Sequence, residues 1–483
     1  VIKRMSVERV LPKTLDYTDV LPLAVESRAR RRTFFPINGQ SFDSQGANII
    51  RIDLSADALL DTQHSYLRFT FKNSAASGTC AWGTGGGHSF IRRLRIEQSG
   101  TVLEDINSYN RLMGAIVLPC QSTNEHRSER SITEGIPTFG QKTGVGNNFG
   151  AEYETSGNFA GVSGNPAVGG ATATTADIVL GAINQKDDFI GPGGTYDFCI
   201  PLNSGLLNNS KLLPLMLMSA PLTIEIELAQ GQSALCWSAA NLTDSNYNIS
   251  NVRYIANLIE VGGDVSQQLR MVQEVSGGVL TLAGQTYRHF TGNITAGGGD
   301  QIINVPARVK SMKSMFFASQ GSAPAMNKFD VEFGGNMTLQ EYQLKIGSVV
   351  YPPTPVRCQF GTGSDDKVWN KRAETLMELA KSWGSVGSTK GMGQLTTMNY
   401  LVDPDGAGKL GSQSAVLYGP LGLDLEAFQR VALESGVNTA DRSLPISLIL
   451  QTDATATAQN VDVYVLADAL FYLNADGSMS VSV

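Results

Sequence analysis

Cysteine, histidine, tryptophan and charge are all scarce in this chain of 483 residues. The five cysteines, Cys80, Cys120, Cys199, Cys236 and Cys358, are odd in number and widely spaced. None sits at the spacing of a metal knuckle or a redox pair, so they read as free thiols of a reducing compartment. The four histidines, His64, His88, His126 and His289, are dispersed, with no second His or Cys at ligand spacing, so no zinc site is expected. Charged residues make up 17% and the net charge is −7, which fits neither a disordered chain nor a strongly basic nucleic-acid binder. No apolar run reaches the roughly 20 residues of a membrane helix. The richest, KLLPLMLMSAPL at 211–222, is broken by Pro214 and Pro221 and reads as core. Lys3 and Arg4 follow Val1 with no apolar run behind them, which predicts no signal peptide, while a start without Met leaves earlier processing open. The sequons at Asn208, Asn241, Asn248, Asn293 and Asn336 are therefore expected to stay unmodified.

Catalytic signatures are absent as well. The paired carboxylates Asp187-Asp188 and Asp365-Asp366 are adjacent on loops, where such side chains point apart and stay solvated rather than flank a glycosidic bond. DPDG at 403–406 opens like a calcium loop, but no third acidic ligand follows and the twelfth position is Ser414. GTGGGHS at 83–89 and GSVGSTKG at 384–391 lack a phosphate loop's lysine in the right place and read as turns. No enzyme activity, metal or cofactor is expected.

What is abundant is glycine and strand pattern. The 51 Gly and 18 Pro exclude long helical bundles. IRIDL at 50–54, LRFTFK at 67–72, LTIEIEL at 222–228, FDVEF at 329–333, YQLKI at 342–346, PISLIL at 445–450 and NVDVYVLADALFYL at 460–473 alternate with a period of two. In LTIEIEL a helix would bury the glutamates, whereas a strand turns them outward. One segment reads as helix, 368–383, where Trp369, Ala373, Leu376, Ala380 and Trp383 recur at steps of four and three before Gly384. Short helices are also expected near 104–116 and 424–434. Ten glycines within 135–170 and the turn-rich 384–415 mark two long insertions.

The chain repeats itself loosely. PLNSGLL at 201–207 matches GPLGLDL at 419–425, Pro221 with its strand matches Pro445, and Asn251-Val252 matches Asn460-Val461, at offsets of 219, 224 and 209. The fold class is therefore all-β: two tandem eight-stranded jelly rolls with long loop insertions and a few short helices. The divisions are a basic arm at 1–33, a first roll at 34–262 with its insertion at about 135–195, and a second roll at 277–483 with helix 368–383 and the 384–415 insertion. The arm holds Lys3, Arg4, Arg9, Lys13, Arg28, Arg30, Arg31 and Arg32 against four acids, a balance of +4 that leaves −11 for the remainder. It either meets nucleic acid or an anionic membrane, or bonds acidic neighbours as a solvated arm.

The order of DTQHSYLRFTF (61–71), FIRRLRIEQSGTVLEDINSYNRL (90–112), IPLNSGLLNNSKLLPLMLMSAPLTIEIEL (200–228), YQLKIGSVVYPPTPV (342–356), GLDLEAFQ (422–429), ESGVNTADRSLPISLIL (434–450) and VDVYVLADALFYLNADG (461–477) resembles the double jelly-roll major capsid proteins of the adenovirus and tectivirus lineage. Within that lineage it is similar to the polinton-like and virophage branches near the large nucleocytoplasmic DNA viruses. The resemblance implies a homotrimer with a pseudo-hexagonal outline that tiles an icosahedral virion capsid around double-stranded DNA. It also implies neighbouring capsomers, penton and minor capsid proteins as partners, with the two insertions as outward tower loops. The other reading is a β-sandwich that binds or cleaves carbohydrate, which would need clustered aromatics and convergent carboxylates or a bound metal. Only four tryptophans, Trp82, Trp237, Trp369 and Trp383, are present.

Overall fold

Leu222, Ile224, Ile226 and Leu228 all point into a core, as their alternation requires, and Glu225 reaches Arg51 at 2.8 Å on the opposite side. That strand is one of sixteen main strands among the described residues. The computed structural model describes residues 27–82, 85–121, 130, 132–135, 190–237, 243–321, 339–358, 373–384, 420–427, 435–453, 456 and 458–483. The first eight strands are β1 (Ser27–Phe34), β2 (Ile49–Leu54), β3 (Leu59–Asn73), β4 (Ile91–Gln98), β5 (Thr101–Asn107), β6 (Thr195–Ile200), β7 (Leu222–Leu228) and β8 (Tyr247–Val261). The second eight are β9 (Val279–Ile294), β10 (Gly299–Asn304), β11 (Met312–Gly321), β12 (Leu339–Ile346), β13 (Val349–Arg357), β14 (Leu421–Asp424), β15 (Ile446–Thr452) and β16 (Gln459–Asn474).

Two antiparallel sheets face each other in each half. The first half has the orders β1-β8-β3-β6 and β2-β7-β4-β5; the second has β9-β16-β11-β14 and β10-β15-β12-β13. Adding eight to each number of the first pair gives the second, so the two halves share one connectivity. This interleaving is that of a jelly roll. Short pairs extend the sheets: Ser41–Asp43 on β8, Leu213–Pro214 on β3, Met479–Ser482 on β16, and Cys80–Ala81 with Cys236–Trp237. The first core is aromatic, with Phe71 and Phe90 centroids 5.1 Å apart and Phe69 and Phe198 5.2 Å apart. Each such side chain contributes roughly 1.5–3 kcal/mol by leaving water.

Because every pairing is antiparallel and successive strands reverse direction, alternate connections gather at opposite ends. In the first roll, the described parts of the connections after β1, β3, β5 and β7 share one end, and 55–58, 99–100 and 201–221 share the other. Ser99 and Gly100 both take positive φ, the two-residue turn that suits a right-twisted hairpin.

Several expectations are corrected. The boundary at 33/34 falls inside β1, which pairs with β8 from Ser27↔Val261 to Phe34↔Tyr254. An edge strand exposed on both faces needs no apolar alternation, so Arg28, Arg30, Arg31 and Arg32 gave no strand signal. The junction at 262–276 is a helix, Gly263–Val275. The helix of the second roll spans Ala373–Ser382 and is rotated from the expected face. Thr375, Leu379 and Ser382 are buried, while Leu376 and Ala380 are only half-buried. Gly422 causes this, since a Cβ there would lie 2.8 Å from Ser382 Oγ and 3.0 Å from Leu379 Cδ1. Residues 104–107 belong to β5, and helix follows over 109–121 with Leu112–Val117 wound as π-helix. No helix starts at 424–427. Of the three repeat anchors, two fall on equivalent strands, β7/β15 and β8/β16, whereas Pro201 follows β6 and Pro420 precedes β14. FDVEF at 329–333, residues 368–372, 428–434 and most of both insertions lie outside the described residues.

Candidate functional site

Three of the histidines sit in the described part, and each has a carboxylate partner. His64 meets Asp61 at 2.7 Å in solvent, His88 meets Glu134 at 3.1 Å, and His289 meets Asp462 at 2.8 Å. Tyr109 closes on the other nitrogen of His88 at 3.3 Å, and Arg130 forks onto Glu134 at 2.6 and 2.9 Å. Burial alone would raise the Glu134 pKa, but the hydrogen bond and charge of His88 and those of Arg130 outweigh it and hold the carboxyl low. This group is sealed, so it fixes Arg130 and 132–135 against the roll rather than meeting a substrate. Gly86, at φ +50, lies in a short 3-10 turn whose amide neighbour Gly87 donates to the Glu134 carbonyl at 2.7 Å. Among the described residues no three His, Cys, Asp or Glu side chains are grouped to hold a metal. His126, Asp187, Asp188, Asp365, Asp366 and the DPDG and GSVGSTKG segments lie outside the described residues, apart from Gly384.

The extended polar surface of interest is the seam between the rolls. Glu104, on β5, accepts hydrogen bonds from the Gly205 and Leu206 amides at 3.0 and 2.9 Å, from Ser204 Oγ, and from Thr286 on β9. Burial pushes its carboxyl up while those donors pull it down. Gly205 and Gly284 let the two backbones touch: a Cβ on Gly205 would lie 2.4 Å from the Gln285 carbonyl oxygen, and one on Gly284 2.6 Å from that of Gly205. Asn209 donates to the Ala283 carbonyl at 2.8 Å, and Gln98 to that of Gly477 at 3.1 Å. Farther along, Arg111 donates Nε to Asp462 at 3.0 Å and Nη2 to the Ser319 carbonyl at 3.0 Å, while Tyr464 donates to the Ser108 carbonyl at 2.9 Å.

The helical segment 109–121 of the first roll and the helix Ala373–Ser382 thus lie on the outer face of sheet β9-β16-β11-β14. That face is closed to water: every residue of β16 from Val461 to Ala469 is buried. Among the described residues no helix covers the same face of the first roll, on sheet β1-β8-β3-β6. Arg31, Arg68, Lys72 and Arg253 stand on it with Asp197, which bonds Arg68 at 3.2 Å. The hydrogen bond from Thr70 outweighs burial and, with Arg68, lowers the Asp197 pKa. One residue after the matched Asn-Val pairs stand Arg253 in the first roll and Asp462 in the second, so the charge at this position is inverted.

Of the basic residues singled out in the sequence, Lys3, Arg4, Arg9 and Lys13 lie outside the described residues. The other four are on β1: Arg30 pairs with Glu260 at 2.8 Å, Arg31 donates to Tyr66 at 3.4 Å, and Arg32 stacks 4.8 Å above Phe34. Arg111, Glu104 and Asp462 were missed. Only Asp462 had a sequence signal, as one of two acids, with Asp468, inside the otherwise apolar VDVYVLADALFYL.

No family model and no curated protein matches the sequence. Solved structures do match. PBCV-1 VP54, fitted into a reconstruction of the virophage Sputnik, aligns at TM-score 0.55 and 9% identity over 97% of this chain and 99% of its own. The Faustovirus major capsid protein aligns at 0.55 and 8% over 96% and 92%, and a chain of the Sputnik virophage structure at 0.52 and 9% over 99% and 93%. At these identities the likeness is one of fold, and the chain is a double jelly roll.

Proposed function

We propose that this chain is the major capsid protein of an icosahedral double-stranded DNA virus, and that it works by contact with copies of itself in the virion. The observation that carries the reading is the pair of equivalent faces, one covered and one with no helix over it among the described residues. Two rolls of the same connectivity already pack head to tail inside one chain. Repeating that contact between chains brings the second roll of one copy onto the basic face and the β1 edge of the next. A heterologous contact repeated in this way closes a ring if its rotation permits. Three copies then present six rolls, a pseudo-hexagonal unit able to tile a shell beside penton and minor capsid proteins. The fold likeness to capsid proteins supports the same reading.

The polarity of each roll supports an assignment of inside and outside. The connection after β5 leaves one end of the first roll, and β1 is entered from the other. In this reading the insertions at 135–195 and 384–415 face outward as towers. The residues ahead of β1, with Lys3, Arg4, Arg9 and Lys13, face inward toward packaged DNA or a membrane. Deleting 1–26 would then reduce salt-sensitive binding to DNA or anionic vesicles.

Light scattering on the purified chain tests the assembly. The expected species has a mass of about 155 kDa, three times the 51.6 kDa chain, with hexagonal outlines in electron microscopy. A stable monomer at micromolar concentration would overturn it.

A further inference from the structure

A cavity of about 370 Å³ opens at the long-loop end of the first roll, away from the seam. The antiparallel order brings its walls together: Gln45 and Asn48 from the β1–β2 connection, Arg92 from the start of β4, and Gln230 and Gln232 from the β7–β8 connection, over a floor made by Leu228. Backbone bonds hold these walls before any ligand arrives. The Leu228 amide donates to the Asn48 carbonyl at 2.8 Å, and Asp43 accepts from the amides of Gln45 and Gly46, which shapes the turn below them. Gly231 lets the two arms of the β7–β8 connection close up, because a Cβ there would lie 1.7 Å from the Ser245 carbonyl oxygen. The Trp237 indole pins the same residue through its carbonyl at 2.9 Å. A site fixed in this way loses little order on binding.

The chemistry of the walls selects the ligand. The one cation, Arg92, is offset by Glu227 at 3.0 Å, so neither an anion nor a cation finds an uncompensated partner. What remains is carboxamide and the hydroxyls of Ser44 and Ser245, of which Ser44 donates to Asn246 at 3.2 Å. Gln232 donates to Gln230 at 3.2 Å, and the side chains of Gln45 and Asn48 make no hydrogen bond within the described residues. A carboxamide offers donors and acceptors together. A hydroxyl is both donor and acceptor too, and the C–H face of a sugar ring suits a leucine floor. We propose that this cavity is a binding site for a neutral saccharide, held by the Gln45, Asn48 and Gln230 carboxamides over Leu228. The volume is in the lower part of the range for small-molecule sites, with room for a short saccharide. The inference does not rest on the capsid reading, because it concerns one roll of one chain.

The test uses the full-length chain, a printed array of neutral and acidic oligosaccharides, and saturation-transfer NMR with millimolar methyl glycosides so that weak binding is registered. Neutral saccharides should bind, and Gln45→Ala, Asn48→Ala and Gln230→Ala should each weaken binding roughly fivefold, the size of one neutral hydrogen bond. Unchanged mass and melting temperature of these exposed-loop variants would show that the fold is kept. Absence of saturation transfer to every neutral glycoside would overturn the proposal. So would neutral binding that survives all three substitutions combined, or binding confined to acidic glycans and lost in Arg92→Ala.

Discussion

Arg111 of the first roll and Asp462 of the second, 351 residues apart in the chain, form a buried ion pair at 3.0 Å on which His289 also converges at 2.8 Å. The pair locks the segment 109–121 onto a sheet of the other roll. Removing one partner strips the other buried charge of its oppositely charged neighbour, leaving Asp462 the His289 contact and Arg111 the Ser319 carbonyl, which costs far more than the net value of the pair itself. Arg111→Met or Asp462→Ala is therefore expected to destabilise the chain by about 3–5 kcal/mol. Denaturant titration of each variant measures it, and a loss below about 1 kcal/mol would contradict this account of the seam.

Acid should act through the same group. Burial raises the Asp462 pKa from its ordinary 3.8, but the His289 hydrogen bond and the Arg111 charge outweigh it, and the net direction is down. Glu134 is also lowered, from 4.5. A carboxyl lowered in the folded state contributes stability that is present above its unfolded pKa and is lost as pH falls through the folded value. Melting temperatures should hold near neutral pH and drop below about 4. The gap between wild type and Asp462→Asn should narrow toward pH 3, and a constant gap from pH 7 to pH 3 would refute the linkage.

Backbone contact at the seam leaves no room for a methyl group. Gly205→Ala forces its Cβ to within 2.4 Å of the Gln285 carbonyl oxygen, so the rolls must separate locally. Overpacking of this kind costs typically about 1–3 kcal/mol. Calorimetry is expected to show a lower melting temperature, and a melt identical to wild type would refute the close approach.

The basic face offers a test of assembly that spares the fold. Arg68 and Arg253 point outward from β3 and β8, so Arg68→Glu with Arg253→Glu should leave the circular dichroism spectrum unchanged and shift the proposed trimer toward monomer. The shift should be larger at low salt, where charge repulsion reaches farther. A trimer that is unaffected at 50 mM salt would remove this face from the interface.

Thiol reactivity follows burial. Cys80, Cys120 and Cys358 are buried, and desolvation pushes the Cys120 thiol up to about 12 and Cys80 higher still. Cys199 is half-buried on the outer face of β6, and burial raises it as well. Maleimide labelling of the native chain at pH 7.5 (an assay condition of roughly neutral pH) should modify Cys199 ahead of these three. Mass spectrometry that finds Cys80 or Cys120 labelled first would contradict the described cores.

Much of the fold was legible because a strand's pattern is local. The alternation of LTIEIEL and the apolar row of VDVYVLADALFYL placed β7 and β16 before any coordinates, and the order of segments pointed to paired jelly rolls. The helix Gly263–Val275 escaped notice because Met271, Val272 and Val275 remain exposed on it, so it lacks one clean apolar face. The β1 strand escaped because four arginines in an edge position are held by main-chain bonds to β8 rather than by apolar burial. At Ala373–Ser382 the periodicity identified the helix and missed its orientation, which Gly422 on a distant strand sets.

The sequence by itself determined the all-β class and the inward rows of the strands, since both depend on spacing between near neighbours with a period of two, and its loose repeat at offsets of 219, 224 and 209 pointed to the doubled architecture. Only the tertiary structure decided that Asp462 would be neutralised by Arg111, that Glu104 would be met by donors from both rolls, and that one roll's outer face would be covered while its counterpart carries no helix among the described residues. Those outcomes depend on how two finished sandwiches dock, and docking brings together residues hundreds of positions apart that carry no shared local pattern.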